Sequence, residues 1–464
     1  MTIRIPVVLA FVSLCVAGCL HAPPAPLSAE ASADRLDERS PSSGDVREVL
    51  ALWRGEPVEA WPPEVWSLDA LLAAAIVHHP TLAIARSDRA LSEAHRRAVA
   101  QLRNPTLQIQ PTQVAGPTSA VSPWIASIRP TFYFETAGKR RRRIAAAEAR
   151  ARGSASTLER DLWLVREEVF RAALSTRACE RRRLVRERLE AFQHELLDQL
   201  EQKRVTGAVS AGEVDQARAA VAQAAADRVA AQRLEVEARV ALATALGVSL
   251  ASLEHLVLDP AIDAVGEAVR GLDASALRRA GLTGRPDVLA SLAEYDATEE
   301  ELRLELAKQY PDVQLGPGYE YDQGTDRWSL QLTIGLPILS QNRGGIAEAI
   351  AARARAAARF EAVQLTVLEE IDAAAATFRS SRDERTRLEE RLATANAQLV
   401  RARDARAAGA LARAAVVAKE IEVGQAQLAY LDAVERNGLA FVRLEQAVEP
   451  REASGKLFEM GTLR

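Results

Sequence analysis

The chain contains one segment written twice. HPTLAIARSDRALSEAHRRAVAQLRNPTLQI (79–109) aligns without a gap on RPDVLASLAEYDATEEELRLELAKQYPDVQL (285–315), an offset of 206 residues (285 − 79). Pro80 falls on Pro286, Glu93 on Glu299, Pro105 on Pro311 and Gln108 on Gln314. Each copy reads as an amphipathic helix that stops at a Pro and gives way to alternating apolar and polar residues. Solenoids and propellers repeat every 20–50 residues or so, far short of this spacing. The chain is therefore two large homologous halves.

At 464 residues, length alone suggests about three ordinary domains, whereas the repeat argues for two intertwined halves. A hydrophobic content of 48% excludes wholesale disorder, and aromatics at only 5% with frequent Ala point to helices packed on small side chains. A net charge of −4 gives no reason to expect a polyanion such as nucleic acid as partner. The one strong basic run, Lys139–Arg143, reads as the solvated start of a helix.

Arg4 followed by the apolar stretch Ile5–Leu14 has the form of an export signal too short to span a bilayer. Val16-Ala17-Gly18-Cys19 resembles the bacterial lipobox, which implies removal of residues 1–18 and acylation of Cys19. Cleavage without lipid is the alternative. Leu20 rather than Asp after the Cys favours the outer membrane over the inner, again by resemblance to lipoproteins. Cys15 leaves with the signal, so Cys179 is the remaining thiol and no disulfide forms within one mature chain.

Residues 19–66, rich in Pro, Ala, Ser and charge, are expected as an extended tether pinned to the body by Trp53, Trp61 and Trp66. The first repeat, 67–247, opens at the N-cap Ser67 with a helix to about Arg103. Strands near 106–114 and 124–134 follow, then a long helix over 139–205 and, beyond Gly207, a returning helix over 212–247. A linker (248–274) precedes the second repeat, 275–447. It has a helix over 275–309, strands near 312–322 and 327–337, a long helix over 346–408, and a return after Gly409 to 447. A tail covers 448–464. Leu158, Leu162, Val165, Val169, Ala172, Thr176 and Cys179 step as a heptad seam, and so do Leu388, Leu392, Ala395, Leu399 and Ala402. Cys179 is thereby a small core residue. Each long helix is about 100 Å at 1.5 Å per residue, matched by two shorter helices end to end. Four strands cannot close a barrel. The sheet either stays open or is pooled between chains.

In order and twice over, these features resemble the outer membrane efflux (TolC-like) family, within it the lipidated subunits of heavy-metal (cobalt-zinc-cadmium type) pumps. The segments that carry the resemblance are ETAGKRRRRIAAAEA (135–149), LPILSQNRGGIAEAIAAR (336–353), TGAVSAGEVDQAR (206–218) and AGALARAAV (408–416). The resemblance covers about 65–447. It implies a mainly α fold with a small β part. Three chains would contribute four strands each to a 12-stranded outer-membrane barrel above a periplasmic α-barrel. It also implies a passive duct for substrates such as metal cations or drugs, partnered by a periplasmic adaptor and an inner-membrane pump. The helical tips at Gly207 and Gly409 would dock the adaptor.

On the strands, Arg129, Gln331 and Thr333 belong to polar faces that would line a lumen, while Trp124, Phe132, Phe134 and Trp328 would meet lipid. Glu213 and Asp215 are candidates for an acidic periplasmic gate; Ala415 stands at the corresponding place after Gly409, where the family's acidic pattern fails. The bland reading of Glu213 is a first-turn Glu favoured by the helix dipole. His78 and His79, adjacent on a helix and hence about 100° apart, do not chelate together. No phosphate loop, nucleophile elbow or catalytic triad signature is found, so no enzyme activity, cofactor or resident metal is expected. Two other classes remain: a lipoprotein coiled-coil spacer, which leaves the hairpins idle, and a periplasmic adaptor, which would carry one helical hairpin flanked by β-rich segments.

Overall fold

A computed structural model describes residues 23–116, 122–266 and 273–449. The expected signal peptide, Cys19 and nearly all of the tail lie outside the described residues. After two short helices, α1 (Ala29–Asp37) and α2 (Gly44–Arg54), each half has the same plan. The first is α3 (Leu68–His78), α4 (Pro80–Ala100), β1 (Thr106–Gln113), β2 (Trp124–Phe134), α5 (Lys139–Val205) and α6 (Ala211–Leu246). The second is α7 (Ala274–Gly284), α8 (Pro286–Ala307), β3 (Val313–Asp322), β4 (Thr325–Ile334), α9 (Arg343–Ala407) and α10 (Arg413–Val448). The fold is mainly α with a small antiparallel sheet, as the sequence implies.

The single helices expected over 68–103 and 275–309 are each broken in two. Pro80 and Pro286 lack an N–H and disfavour αR in the residue before them. His79 (ψ 125) and Arg285 (ψ 139) are accordingly extended, and α3 meets α4 at 55°. The expected tether also differs over its described part. α2 buries Val46, Val49 and Leu50, an i, i+3, i+4 stripe, in the main core beside Trp66, with Trp53 and Trp61 packed on its edge. Arg39 ties this segment down by donating to the carbonyls of His78 (2.9 Å), the last residue of α3, and Gly247 (3.3 Å), the C-cap of α6.

α5, 67 residues and hence about 100 Å long, packs against α3, α4, α6, α8 and α10, and so binds the two halves together. Along it Leu158, Leu162, Val165, Val169, Ala172 and Thr176 are buried, and Cys179 is half-buried. Burial pushes the Cys179 thiol up, which keeps it protonated and unreactive. On α9 the seam is covered only at Leu399 and Ala402; Leu388, Leu392 and Ala395 are half-buried. Trp163 and Phe378 are the largest side chains fully enclosed, one in each of two clusters. Gly424 and Gly438 of α10 lie against Leu189 and Leu174 of α5, where an added Cβ would stand 2.5 and 3.1 Å from leucine methyls. Among the described residues no single helix is long and apolar enough to cross a membrane.

Candidate functional site: the sheet faces and the helical tips

The two hairpins form one open sheet of order β1-β2-β3-β4, all antiparallel, so the central pairing joins the two halves of the chain. Gln323 and Gly324 both have positive φ (48° and 107°), which makes a two-residue hairpin turn; pairing therefore begins at Asp322↔Thr325, and β4 starts earlier than expected. The register sorts side chains by face. One row reads Ile109↔Ile128↔Tyr319↔Trp328, and further rows on that face contain Phe132↔Leu315↔Leu332 and Phe134↔Val313↔Ile334. The opposite face carries Gln110↔Ser127↔Glu320↔Arg327. It also holds the pairs Gln108↔Arg129, Gly316↔Gln331 and Gln314↔Thr333.

The apolar face is bare. Trp328 is 82% and Leu330 68% exposed, with Leu107, Ile109, Phe134 and Leu332 all exposed as well. β1 and β4 are both free edges, exposed along their whole length. A wide apolar face and two unpaired edges are what an isolated sheet in water avoids. Lipid against the face and neighbouring strands at the edges would satisfy both.

The basic run Lys139–Arg143 is not a solvated helix start. Lys139 is buried and donates to Tyr310 O and Asp312 Oδ1, both at 2.6 Å. Arg140 caps the carbonyl of Ala100 (3.1 Å), Arg142 pairs with Glu300 (3.1 Å), and Arg143 grips Glu135 with two bonds (2.9 and 3.0 Å). With Thr136 Oγ1 donating to Pro311 O at 2.6 Å, the run sets the sheet on the helical body. Sequence reading missed this because every acceptor except Glu135 lies at least 40 residues from its donor.

At the opposite end, α5 and α9 stop at turns whose Gly207 and Gly409 have φ of 74° and 77°. Glu213 is a capping-box residue: it accepts from Ser210 N (2.7 Å) and Oγ (2.9 Å), and its own N–H donates back to Ser210 Oγ (3.3 Å). The Ser210 backbone bond holds its carboxyl below the usual range. Asp215 lies 3.3 Å from Arg218, which also binds Glu201 at 2.8 Å. The second tip instead carries Arg413, which grips Glu195 of α5 (2.5 and 2.7 Å) and lies 3.2 Å from the buried Glu420. Arg403 donates to the same Glu420 at 2.8 Å. These ions lock the second tip onto the first hairpin, a link no sequence signal announces.

Midway along the rod the two Pro breaks differ. His79 lies 3.6 Å from Glu168, whereas Arg285 is buried and binds Asp287, Glu370 (2.6 Å) and Ala447 O (3.0 Å). Beside it Glu449 is enclosed, and burial pushes its carboxyl up to about 8. Among the described residues no group of three or more His, Cys, Asp or Glu is placed to hold a metal ion.

Long helices thus carry a small antiparallel sheet with one exposed apolar face and one polar face. Residues 277–448 match the family model described as "Outer membrane efflux protein". The chain is similar to the outer-membrane channel OprN (20% identity, TM-score 0.68), covering 93% of this chain and 98% of that one. It is similar also to the outer membrane protein VceC of Vibrio cholerae (19%, 0.65; 82% and 96%) and to CusC (17%, 0.65; 93% and 99%). These likenesses establish the fold. No curated protein matches the chain significantly.

Proposed function

We propose that this chain is the outer-membrane exit duct of a tripartite efflux pump. Three copies pool their strands into a 12-stranded barrel continued below by a helical tube. The observation that carries this reading is the open sheet, apolar on one face, polar on the other and unpaired at both edges. The matched family model and the channel structures of like fold support it. Arg129, Gln331 and Thr333 line the water-filled lumen, and the face bearing Trp328 and Leu330 meets lipid. Gly207 and Gly409 mark the tips that dock a periplasmic adaptor, itself joined to an inner-membrane pump. Glu213 and Asp215 are the carboxylates of the periplasmic gate. Acylated Cys19 anchors the chain to the membrane in which the barrel sits, with most of the chain in the periplasm.

The duct carries what the pump delivers, metal cations or drugs, without chemistry of its own. A strain lacking the chain should become sensitive to zinc, cobalt and cadmium if it serves a heavy-metal pump, or to organic dyes and antibiotics if it serves a drug pump. Unchanged tolerance to both classes, with the partner pump expressed, refutes the duct.

A further inference from the structure

On the polar face of the sheet, one charge stands apart. Towards the hairpin-turn end, Arg327 is matched by Asp322 (2.8 Å) and Glu320 (3.8 Å). Arg129, midway along β2, has no ion pair or hydrogen bond among the described residues, and its Nε is covered. What covers it is β3. A Cβ added to Gly318 would stand 3.3 Å from Arg129 Nε and 2.7 Å from Ser329 Oγ, and one added to Gly316 would stand 3.6 Å from Arg129 Cδ. Both glycines have ordinary φ, so the backbone does not require them there. The space does: any side chain at 318 would take the room in which the arginine lies.

We infer that Gly316 and Gly318 form a bed that holds Arg129 flat against the lumen wall, placing one unpaired positive charge per chain at mid-height without narrowing the bore. The inference rests on the duct reading. Twelve strands about 4.8 Å apart, tilted by about 40°, give a barrel roughly 24 Å across between backbones. Three charges at the wall are then about 12 Å from the axis, beyond a Debye length of about 8 Å, and favour an anion there by only about 1.5-fold in water. Raised into the lumen by about 7 Å, the same charges would favour anions roughly tenfold and close much of the passage. The glycine pair thus keeps the duct permissive to cations while leaving its wall positive at this level.

The test places a reporter beside the arginine. In intact trimers carrying Cys179→Ser, Ser329→Cys is treated with an anionic and a cationic methanethiosulfonate, and labelling of the chain without Ser329→Cys is subtracted. The anionic reagent should react faster, and Arg129→Gln should reduce the anion-to-cation rate ratio by about three- to tenfold. An unchanged ratio overturns the inference. If only a lipid-soluble maleimide labels position 329, that face is not a lumen and the duct reading itself fails.

A second arm tests the bed. Gly318→Ala and Gly318→Val should lower single-channel conductance and move the reversal potential in a salt gradient towards the anion. Adding Arg129→Gln should restore both. Conductance unaffected by either Gly318 variant overturns the role given to the glycines.

Discussion

Lysine at Leu330 is the most direct challenge to the proposal that one face of the sheet meets lipid. β4 has ten residues, which at about 3.4 Å each and a tilt of about 40° rise roughly 26 Å, close to the apolar band of a barrel. Leu330 is the sixth of the ten and 68% exposed, on the face shared with Trp328. A lysine on the lipid face at mid-depth costs about 2–4 kcal/mol, and a homotrimer carries it three times, so about 6–12 kcal/mol in all. Since 1.4 kcal/mol is a factor of ten, Leu330→Lys should reduce inserted trimer by four or more orders of magnitude, below detection. Leu332→Lys should cost less. Ile334→Lys, at the helix end of the same face, should cost only about 0–1 kcal/mol per chain. Thr333→Lys points into water and should assemble normally. Trimer is measured in outer-membrane fractions by migration before and after heating, normalised to total chain. Equal trimer yields from Leu330→Lys and Thr333→Lys, or no gradient from 330 to 334, would refute the assignment of faces.

Three further outcomes follow from other parts of the chain. Cys19→Ser should abolish palmitate labelling and lower the amount of chain in the outer membrane; labelling equal to wild type excludes acylation at that position. At Gly207 and Gly409 an added Cβ meets nothing within 4 Å, so Val there costs only the strain of positive φ, about 1–2 kcal/mol and local. The double Gly→Val variant should form trimers yet lose crosslinking to the adaptor and lose efflux, and wild-type efflux at normal expression would show that these turns do not dock. Glu449 has a carboxyl raised to about 8 by burial, against about 4.3 when unfolded. The folded chain therefore binds the extra proton between these values, and this group makes stability fall as pH rises from about 4.5 to 8. Glu449→Gln should be more stable than wild type at pH 8, by up to a few kcal/mol, with the gap closing towards pH 4.5. A pH-independent gap would mean that Glu449 is ionised in the fold.

How much of this protein its sequence determined depends on the range of each interaction. The duplication at 79–109 and 285–315 determined two like halves. Period two in 106–114 and 124–134 determined strands with one polar and one apolar face, because successive Cβ atoms point to opposite sides of a pleated chain. The 4-3 spacing from Leu158 to Thr176 determined the buried stripe of α5 in the same local way. Even the breaks at Pro80 and Pro286 were written in the sequence, since a proline constrains its own neighbours. The tertiary structure alone decided that β2 pairs with β3, which turns two hairpins into one sheet. It also decided that Lys139 and Arg142 hold Tyr310, Asp312 and Glu300, and that Arg413 holds Glu195. It placed Arg129 over Gly316 and Gly318 and folded α2 into the core. Each of these joins residues separated by up to 218 positions in the chain. Backbone geometry fixes what a residue does to its own turn or strand; which distant partner meets a charge is fixed only when the two halves dock.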